Sequence, residues 1–400
     1  FGAVMQRLRR LRAGMSSHDS AARFAGLGVD VFFGEARFHD DRHIDVDQHR
    51  LCFRRAVIAT GARPGLPDIP GLSEAQPLTN ETVFNITECP RRLIVLGGGP
   101  IGCELAQAFQ RLGSRVTLIH SKDRLLNRDD PDAAEVVRQS LVRDGIAVLS
   151  PARVTRVESA ADSHRVHVET PLKNAVLETD AILLATGRIP NVNGLNLDRV
   201  GVAADPRDGV RVDNYLCTTN PRIFACGDVC LRWKFTHAAD IAARMVIRNA
   251  LFAVGPFGRQ RLSSVHMAWC TYTDPELAHT GVTQSEAEER SLPIDIYTQP
   301  FDRVDRAITD SETEGFVRVL AARGTGRILG ATIVGHGAGD LISELSVAIA
   351  GGIGLDRLGS VTHPYPTRAE AIRKLGDQFS RTRLTDRTSR ILRWRLRLGR

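Results

Sequence analysis

One stretch constrains this chain more than any other: "LIVLGGGPIGCELAQAFQRLGSRVTLIHSKDRLL", residues 93–126. An apolar run, a glycine loop, a helical spacing and a second apolar run follow one another without interruption. That order is a β–α–β unit whose first turn carries G-x-G-x-x-G at Gly97, Gly99 and Gly102. Gly97 permits the tight turn, Gly99 lets the backbone approach a pyrophosphate, and Gly102 lets helix pack on strand. Gly98, Pro100 and Ile101 complete the loop and the first helical turn. Amide hydrogens there have no intrahelical acceptor and can receive anionic oxygen. The stretch is read as a dinucleotide site.

The end of the second strand selects the nucleotide. A carboxylate there would accept hydrogen bonds from the ribose of NAD. This chain instead has His120, with Lys122 and Arg124 close behind. A cationic cluster suits a 2′-phosphate, so NADPH is expected to be favoured over NADH. The competing reading is that His120 only ends a strand and the basic residues face water.

Four hundred residues exceed one core, so two or three domains are expected. Composition is that of an ordinary soluble enzyme, and no apolar run reaches the roughly 18 residues that a membrane span needs. "FGAVMQRLRRLRAG" is broken by arginines and does not read as a signal peptide. A chain opening on Phe1 is read as incomplete. The formal net charge of +7 resides in residues 381–400, which hold eight arginines and one aspartate. That tail is read as a solvated terminal segment; contact with anionic lipid or another subunit is the less favoured reading. No recognition motif accompanies the arginines, so no nucleic-acid partner is expected. The seven cysteines form no zinc-type pair of pairs, and no metal site is expected. Cys226 and Cys230 in "ACGDVC" are read as incidental thiols in a reducing cytoplasm rather than a redox pair.

Along the chain, residues 1–27 show helical spacing with Val4, Leu8, Leu11 and Met15 on one stripe. Residues 29–38 read as strand and turn, 43–60 as a hairpin ending in a buried strand, and 61–72 as a linker. After the nucleotide unit come a helix (131–144), a hairpin (153–158 with 165–170) and a buried strand ending in "ATG" (180–187). A helix at 238–251 follows, then strands near 294–299, 315–321 and 327–333 and a helix at 340–350, grouped as a separate α+β domain. Two echoes stand out, "VIATGARP" at 57–64 and "LLATGRIP" at 183–190.

Those echoes flank the nucleotide loop, and "TTNPRIFACGDV" (218–229), "TDPELAHTGVTQSEA" (273–287) and "HPYPTRAEA" (363–371) follow in order. The series resembles the FAD-dependent pyridine nucleotide–disulfide oxidoreductases across nearly the whole chain, and "HPYPT" most resembles their mercuric-reductase-like branch. The resemblance implies an α/β fold of two Rossmann-like dinucleotide-binding domains, for FAD and NAD(P), plus a C-terminal α+β dimerisation domain. The expected divisions are 1–75 and 206–255 for FAD, 76–205 for NAD(P)H, 262–378 for dimerisation and 379–400 for the basic tail. It further implies that Asp228, in its Gly227–Asp228 turn, bonds the FAD ribityl chain and that Thr60, Gly61 and Ala62 line the FAD groove. Phe235, Thr236, His237 and Ala238 would open the helix aimed at the flavin pyrimidine edge. Gly187, Arg188 and Glu104 would lie beside the stacked rings. Relatives that reduce disulfides end with His-Pro-Thr-x-x-Glu; aligning Pro-Thr and Glu puts Tyr365 at the histidine position, with His363 two residues earlier and Glu370 as a possible polar neighbour.

Three departures stand against the family pattern. No FAD-binding glycine loop and no C-x-x-x-x-C pair precede Cys52, which reads as truncation and implies poor FAD retention. The last cysteine is Cys270, so a C-terminal vicinal pair is lacking, which reads as divergence. The expected function is hydride transfer from NAD(P)H through FAD to a disulfide, metal ion or other small acceptor, in a cytoplasmic homodimer. The alternatives are a flavin-dependent quinone reductase and an inactive nucleotide-binding fragment.

Overall fold

The computed structural model describes residues 1–160, 163–255 and 257–398. Gly399 and Arg400, the last residues of the expected basic tail, lie outside them. Four parallel strands form the central sheet of the nucleotide unit, in the order Ala181–Leu184, Arg92–Leu96, Arg115–Ile119, Ala147–Leu149. Its strands read as unbroken apolar runs because both faces are covered. Leu93 and Val95 point to one face, under the helices Pro100–Arg111 and Pro131–Arg143, with Ala106, Phe109, Val137 and Leu141. Ile94 and Leu96 point to the other, where Val154, Val166 and Val168 of an antiparallel meander meet them. Successive strand residues alternate between two separate cores.

That meander has three strands, Arg153–Ser159, His164–Glu169 and Asn174–Thr179, where the sequence predicts two. The third strand is half exposed and carries little apolar alternation, which hides it from periodicity.

The segments assigned to flavin build a smaller body. Ala56–Ile58 and Ile223–Ala225 pair in parallel, and a meander of Ala36–Asp40, His43–Val46 and His49–Cys52 packs beside them. The predicted strand at 29–38 forms only from Ala36. Helix Gly2–Ser16 buries Met5, whereas Val4, Leu11 and Met15 of the predicted stripe are exposed. Residues 61–72 are not merely a linker: Ala62–Pro64 pairs antiparallel with Arg188–Pro190, so the two sequence echoes meet each other.

The C-terminal unit is one antiparallel sheet in the order Ala268–Thr271, Glu276–Gly281, Ile328–Gly335, Phe316–Ala322, Ile294–Pro300. Helices Ala338–Ala350 and Glu370–Thr382 pack on it through Ile342, Leu345, Ile372, Leu375 and Phe379. Its first two strands fall in the polar-looking "HMAWCTYTDPELAHTG" stretch and were not expected. No helix among the described residues is long and apolar enough to cross a membrane.

Candidate functional site

The glycine loop is built as a cradle. Gly97 sits at φ +114°, a region that glycine alone adopts cheaply, and its amide donates to the Ile119 carbonyl at 2.8 Å. A Cβ on Gly102 would lie 3.0 Å from the Gly97 carbonyl carbon and closer still to its oxygen, so strand end and helix start touch backbone to backbone. Around Gly99 a Cβ would meet nothing within 4 Å, leaving open space beside the helix start. Pro100 opens the helix, where its missing N–H costs nothing. Ile101 and Gly102 follow with first-turn amides that lack helical acceptors.

His120 lies under this loop rather than out in solvent. Its Nδ1 accepts the Gly98 amide hydrogen at 3.1 Å, and a Cβ on Gly98 would collide with its ring. Burial, with Lys122 as a smaller influence, pulls its pKa below the ordinary histidine value. Both facts favour the neutral ring, so His120 braces the loop instead of presenting a cation. Arg124 is likewise turned inward, to the carbonyls of Asn127 and Asp129, each at 3.3 Å. Of the predicted basic cluster, Lys122 alone remains a solvent-exposed side chain.

Ala185 and Thr186 abut Gly97, and the chain then turns through Gly187 at φ +123° into Arg188. The Arg188 guanidinium pairs with Asp228 at 3.0 Å and donates to the Ala62 carbonyl at 2.5 Å. Thr60 Oγ1 donates to the Asn191 carbonyl at 2.7 Å, and the Asn191 amide returns a bond to the Thr60 carbonyl at 2.9 Å. Gly61 accepts the Asn191 backbone amide at 3.0 Å. The predicted residues Thr60, Gly61, Ala62, Gly187, Arg188 and Asp228 thus form one contiguous surface beside the loop.

Gly227 takes φ +75° in the turn that carries Asp228, and Lys234 Nζ donates to the Asp228 carbonyl at 2.7 Å. Phe235 and His237 stack with ring centroids 5.3 Å apart, and His237 Nε2 bonds the Ala268 carbonyl at 2.7 Å. Thr236 begins the helix Thr236–Ile247, whose Ala238 is fully buried.

Glu104, one turn into the nucleotide helix, accepts the Tyr272 amide hydrogen at 2.9 Å, and burial holds its carboxyl above the usual range. It ties the nucleotide unit to the C-terminal one. A second tie went unread in the sequence: Trp269 Nε1 donates to Asp129 at 2.7 Å, and Thr332 Oγ1 donates to Asp130 at 2.8 Å. Burial pushes the Asp129 carboxyl up to about 6. The "NRDDP" turn looks like an ordinary helix entry, so no local signal marks these partners.

At the far end, Tyr365, His363 and Glu370 each take a separate partner, although Glu370 lies near enough to Tyr365 to help raise its pKa. The Tyr365 phenol is exposed and donates to Asp305 Oδ2 at 2.8 Å, and Asp305 raises its pKa. The His363 ring is buried, with Nε2 on Glu344 at 2.8 Å and Nδ1 on the Val361 carbonyl at 3.1 Å. Glu370 is taken up by Arg373 at 3.3 Å and Lys374 at 3.6 Å. Asp305 and Glu344 come from elements distant in the chain, and nothing in their own neighbourhoods singles them out. The thiols of Cys103, Cys217, Cys226, Cys230 and Cys270 are all pushed up by burial, Cys230 and Cys270 to about 12, so none of them is poised as a thiolate nucleophile.

The sequence model described as pyridine nucleotide-disulphide oxidoreductase matches residues 15–243, and that of the family's dimerisation domain matches residues 267–375. A mercuric reductase of Bacillus cereus is 35% identical over 346 residues, covering 86% of this chain and 54% of that protein. A dihydrolipoyl dehydrogenase of Chlamydia trachomatis is 28% identical over 379 residues, covering 92% and 78%. Among solved structures, the HOCl-induced flavoprotein disulfide reductase RclA of Escherichia coli superposes with a TM-score of 0.85 at 26% identity, over 94% of this chain and 86% of that one. The chain therefore spans little more than half the length of the Bacillus cereus enzyme.

Proposed function

The chain belongs to the pyridine nucleotide-disulphide oxidoreductase family, and on that footing we propose an FAD-dependent reductase that draws hydride from NADPH and serves a disulfide, metal ion or other small acceptor, as a mercuric-reductase-like homodimer. Residues 76–205 hold the nicotinamide nucleotide in this reading. Residues 1–75 and 206–255 serve the flavin, and 262–378 join two copies.

One observation carries the reading: the Gly97 loop abuts Ala185–Thr186, which runs through Gly187 to the Arg188–Asp228 ion pair. Nucleotide loop and Gly-Asp turn are thus linked through the Ala185–Arg188 segment, a layout that suits transfer between two stacked ring systems. Flavin chemistry, when the cofactor is bound, supplies the two-electron acceptance and onward delivery. The chain's own residues do the positioning. The open cradle at Gly99 and the first-turn amides suit a pyrophosphate. Asp228 offers a carboxylate to ribityl hydroxyls, and the start of helix Thr236–Ile247 offers donors and a positive dipole end. Thr60, Gly61 and Ala62 line the groove between them.

At the acceptor end, the roles divide by exposure. His363 has both ring nitrogens committed, which suits an anchor of the terminal loop. Tyr365 is a protonated phenol at neutral pH whose pKa Asp305 raises further, and its one O–H, donated to Asp305 at rest, can donate to a developing anion once it turns from Asp305. Tyr365 is the group for the acceptor, and Asp305 positions it.

The test is NADPH oxidation by the FAD-supplemented protein against mercuric ion, an aromatic disulfide and a quinone in parallel. Turnover with at least one is expected, with glutathione disulfide and lipoamide slow. Nucleotide binding without turnover of any acceptor would refute the assignment. Tyr365→Phe is expected to lower turnover and His363→Ala to lower thermal stability; the reverse pattern would exchange their roles.

A further inference from the structure

The last described helix, Asp386–Leu398, packs differently from every element above. Thr385 starts it, accepting the Thr388 amide at 3.3 Å on its hydroxyl and the Ser389 amide at 2.8 Å on its carbonyl. Thirteen residues give a rod about 20 Å long at 1.5 Å per residue. Every side chain from Arg390 to Arg397 is exposed, including Ile391 at 52%, Trp394 at 62% and Leu396 at 74%.

The exposed residues are sorted by helical period. Arg390, Arg393 and Arg397 stand at i, i+3 and i+7, on one face. Ile391 with Trp394, and Leu392 with Leu396, fall on the broad opposite arc. Arg395 sits inside that arc, and Arg387, four residues before Ile391 and seven before Trp394, lies on the same stripe as those two. From Asp386 to Leu398 there are five arginines and one acidic residue, Asp386 at the helix start.

We infer that this helix is an interfacial anchor that lies flat on an anionic lipid surface, its apolar arc among the upper acyl chains and its arginines among phosphate headgroups. Charge selects this occupant. Two copies of the helix would bring five arginines against five, with only Asp386 of each to offset them. A closed acidic protein groove would bury Arg395 within the apolar contact, where an unpaired charge is costly. At a lipid surface the Arg395 stem lies along the apolar layer while its guanidinium reaches sideways to headgroups. A basic polar face opposite tryptophan and leucine is the pattern of helices that rest in the interface plane. Three residues, Arg383 to Thr385, join the anchor to the helix Glu370–Thr382 of the C-terminal unit.

The experiment is flotation of the full chain with vesicles of phosphatidylcholine alone or mixed with phosphatidylglycerol, with brominated acyl chains as quenchers of tryptophan fluorescence. Binding to the mixed vesicles only is expected, with quenching that Trp394→Phe removes. Each of Arg390, Arg393 and Arg397 changed to Gln should weaken binding about fivefold, and added salt should weaken it further. Trp394→Asp with Leu396→Asp should abolish binding while nucleotide affinity and far-ultraviolet circular dichroism stay unchanged. No flotation, equal binding to both vesicle types, or binding untouched by these variants would overturn the proposal. So would a dimer that dissociates in the double variant, which assigns the face to a second copy. Binding to polyglutamate as tight as to vesicles, with Trp394 unquenched, would assign it to an acidic protein and overturn it equally.

Discussion

Adding one methyl group at Gly102 probes the proposed nucleotide cradle directly. In Gly102→Ala the new Cβ would stand 3.0 Å from the Gly97 carbonyl carbon and 3.3 Å from the Ala185 Cβ. Carbon atoms rest at about 3.5–4.0 Å, so the contact must open by at least about 0.5 Å, and by more at the carbonyl oxygen. Neither partner is a rotatable side chain. Gly97 is pinned to the sheet by its bond to Ile119 at 2.8 Å, so the helix start has to move away from the strand. Such overpacking costs roughly 1–3 kcal/mol of stability. It also draws the first-turn amides away from a bound pyrophosphate. Loss of one hydrogen bond to a charged group, about 1.5–3 kcal/mol, weakens nucleotide affinity about 10- to 100-fold. Gly99→Ala separates the two effects: its backbone is extended at φ −83° and its Cβ meets nothing within 4 Å, so the fold should be untouched. The methyl nevertheless enters the space where the pyrophosphate approaches, so affinity should still fall. Calorimetric titration with NADPH and NADH, beside thermal unfolding, reads both quantities. Wild-type affinity in both variants would show that the nucleotide binds elsewhere.

Lys122→Ala should weaken NADPH several-fold more than NADH, whereas His120→Ala should weaken both alike, since its Nδ1 braces the Gly98 amide; paired titrations decide, and selective loss of NADPH in His120→Ala would restore a phosphate role. Asp129→Asn should stabilise the protein at pH 7.5, because burial raises the carboxyl to about 6 and its ionised form is the costly one. The native state holds this proton above the unfolded pKa, so the wild-type deficit should be absent near pH 4, grow through pH 6 and then level at about 2–3 kcal/mol; denaturant midpoints across that range that run parallel for both proteins would refute it. Breaking the half-buried Arg188–Asp228 pair by Arg188→Ala should cost about 1–2 kcal/mol, less than a fully buried pair. The double variant with Asp228→Asn should lose less than the sum, and strict additivity would show that the two groups do not interact.

Local chemistry made much of this protein legible from its residues alone. The glycine loop announces itself because turn, phosphate approach and helix packing each demand a missing side chain at a set spacing. The Ala-Thr-Gly echoes, the Gly-Asp turn and the buried strands are contiguous signals of the same kind. Partnerships between remote segments were not legible, since they depend on how separate elements stack. The two echoes pair with each other only because the strands ending in them are brought side by side. His120 reads as a cation by its neighbours in sequence, yet the loop folded over it makes it a neutral acceptor. Tyr365 and His363 stand two residues apart and answer to different carboxylates, Asp305 and Glu344, which packing of the C-terminal unit delivers from elsewhere. The amphipathic order of the arginine-rich tail was written in its residues; that Ile391, Leu392, Trp394 and Leu396 stay exposed was decided by the tertiary structure.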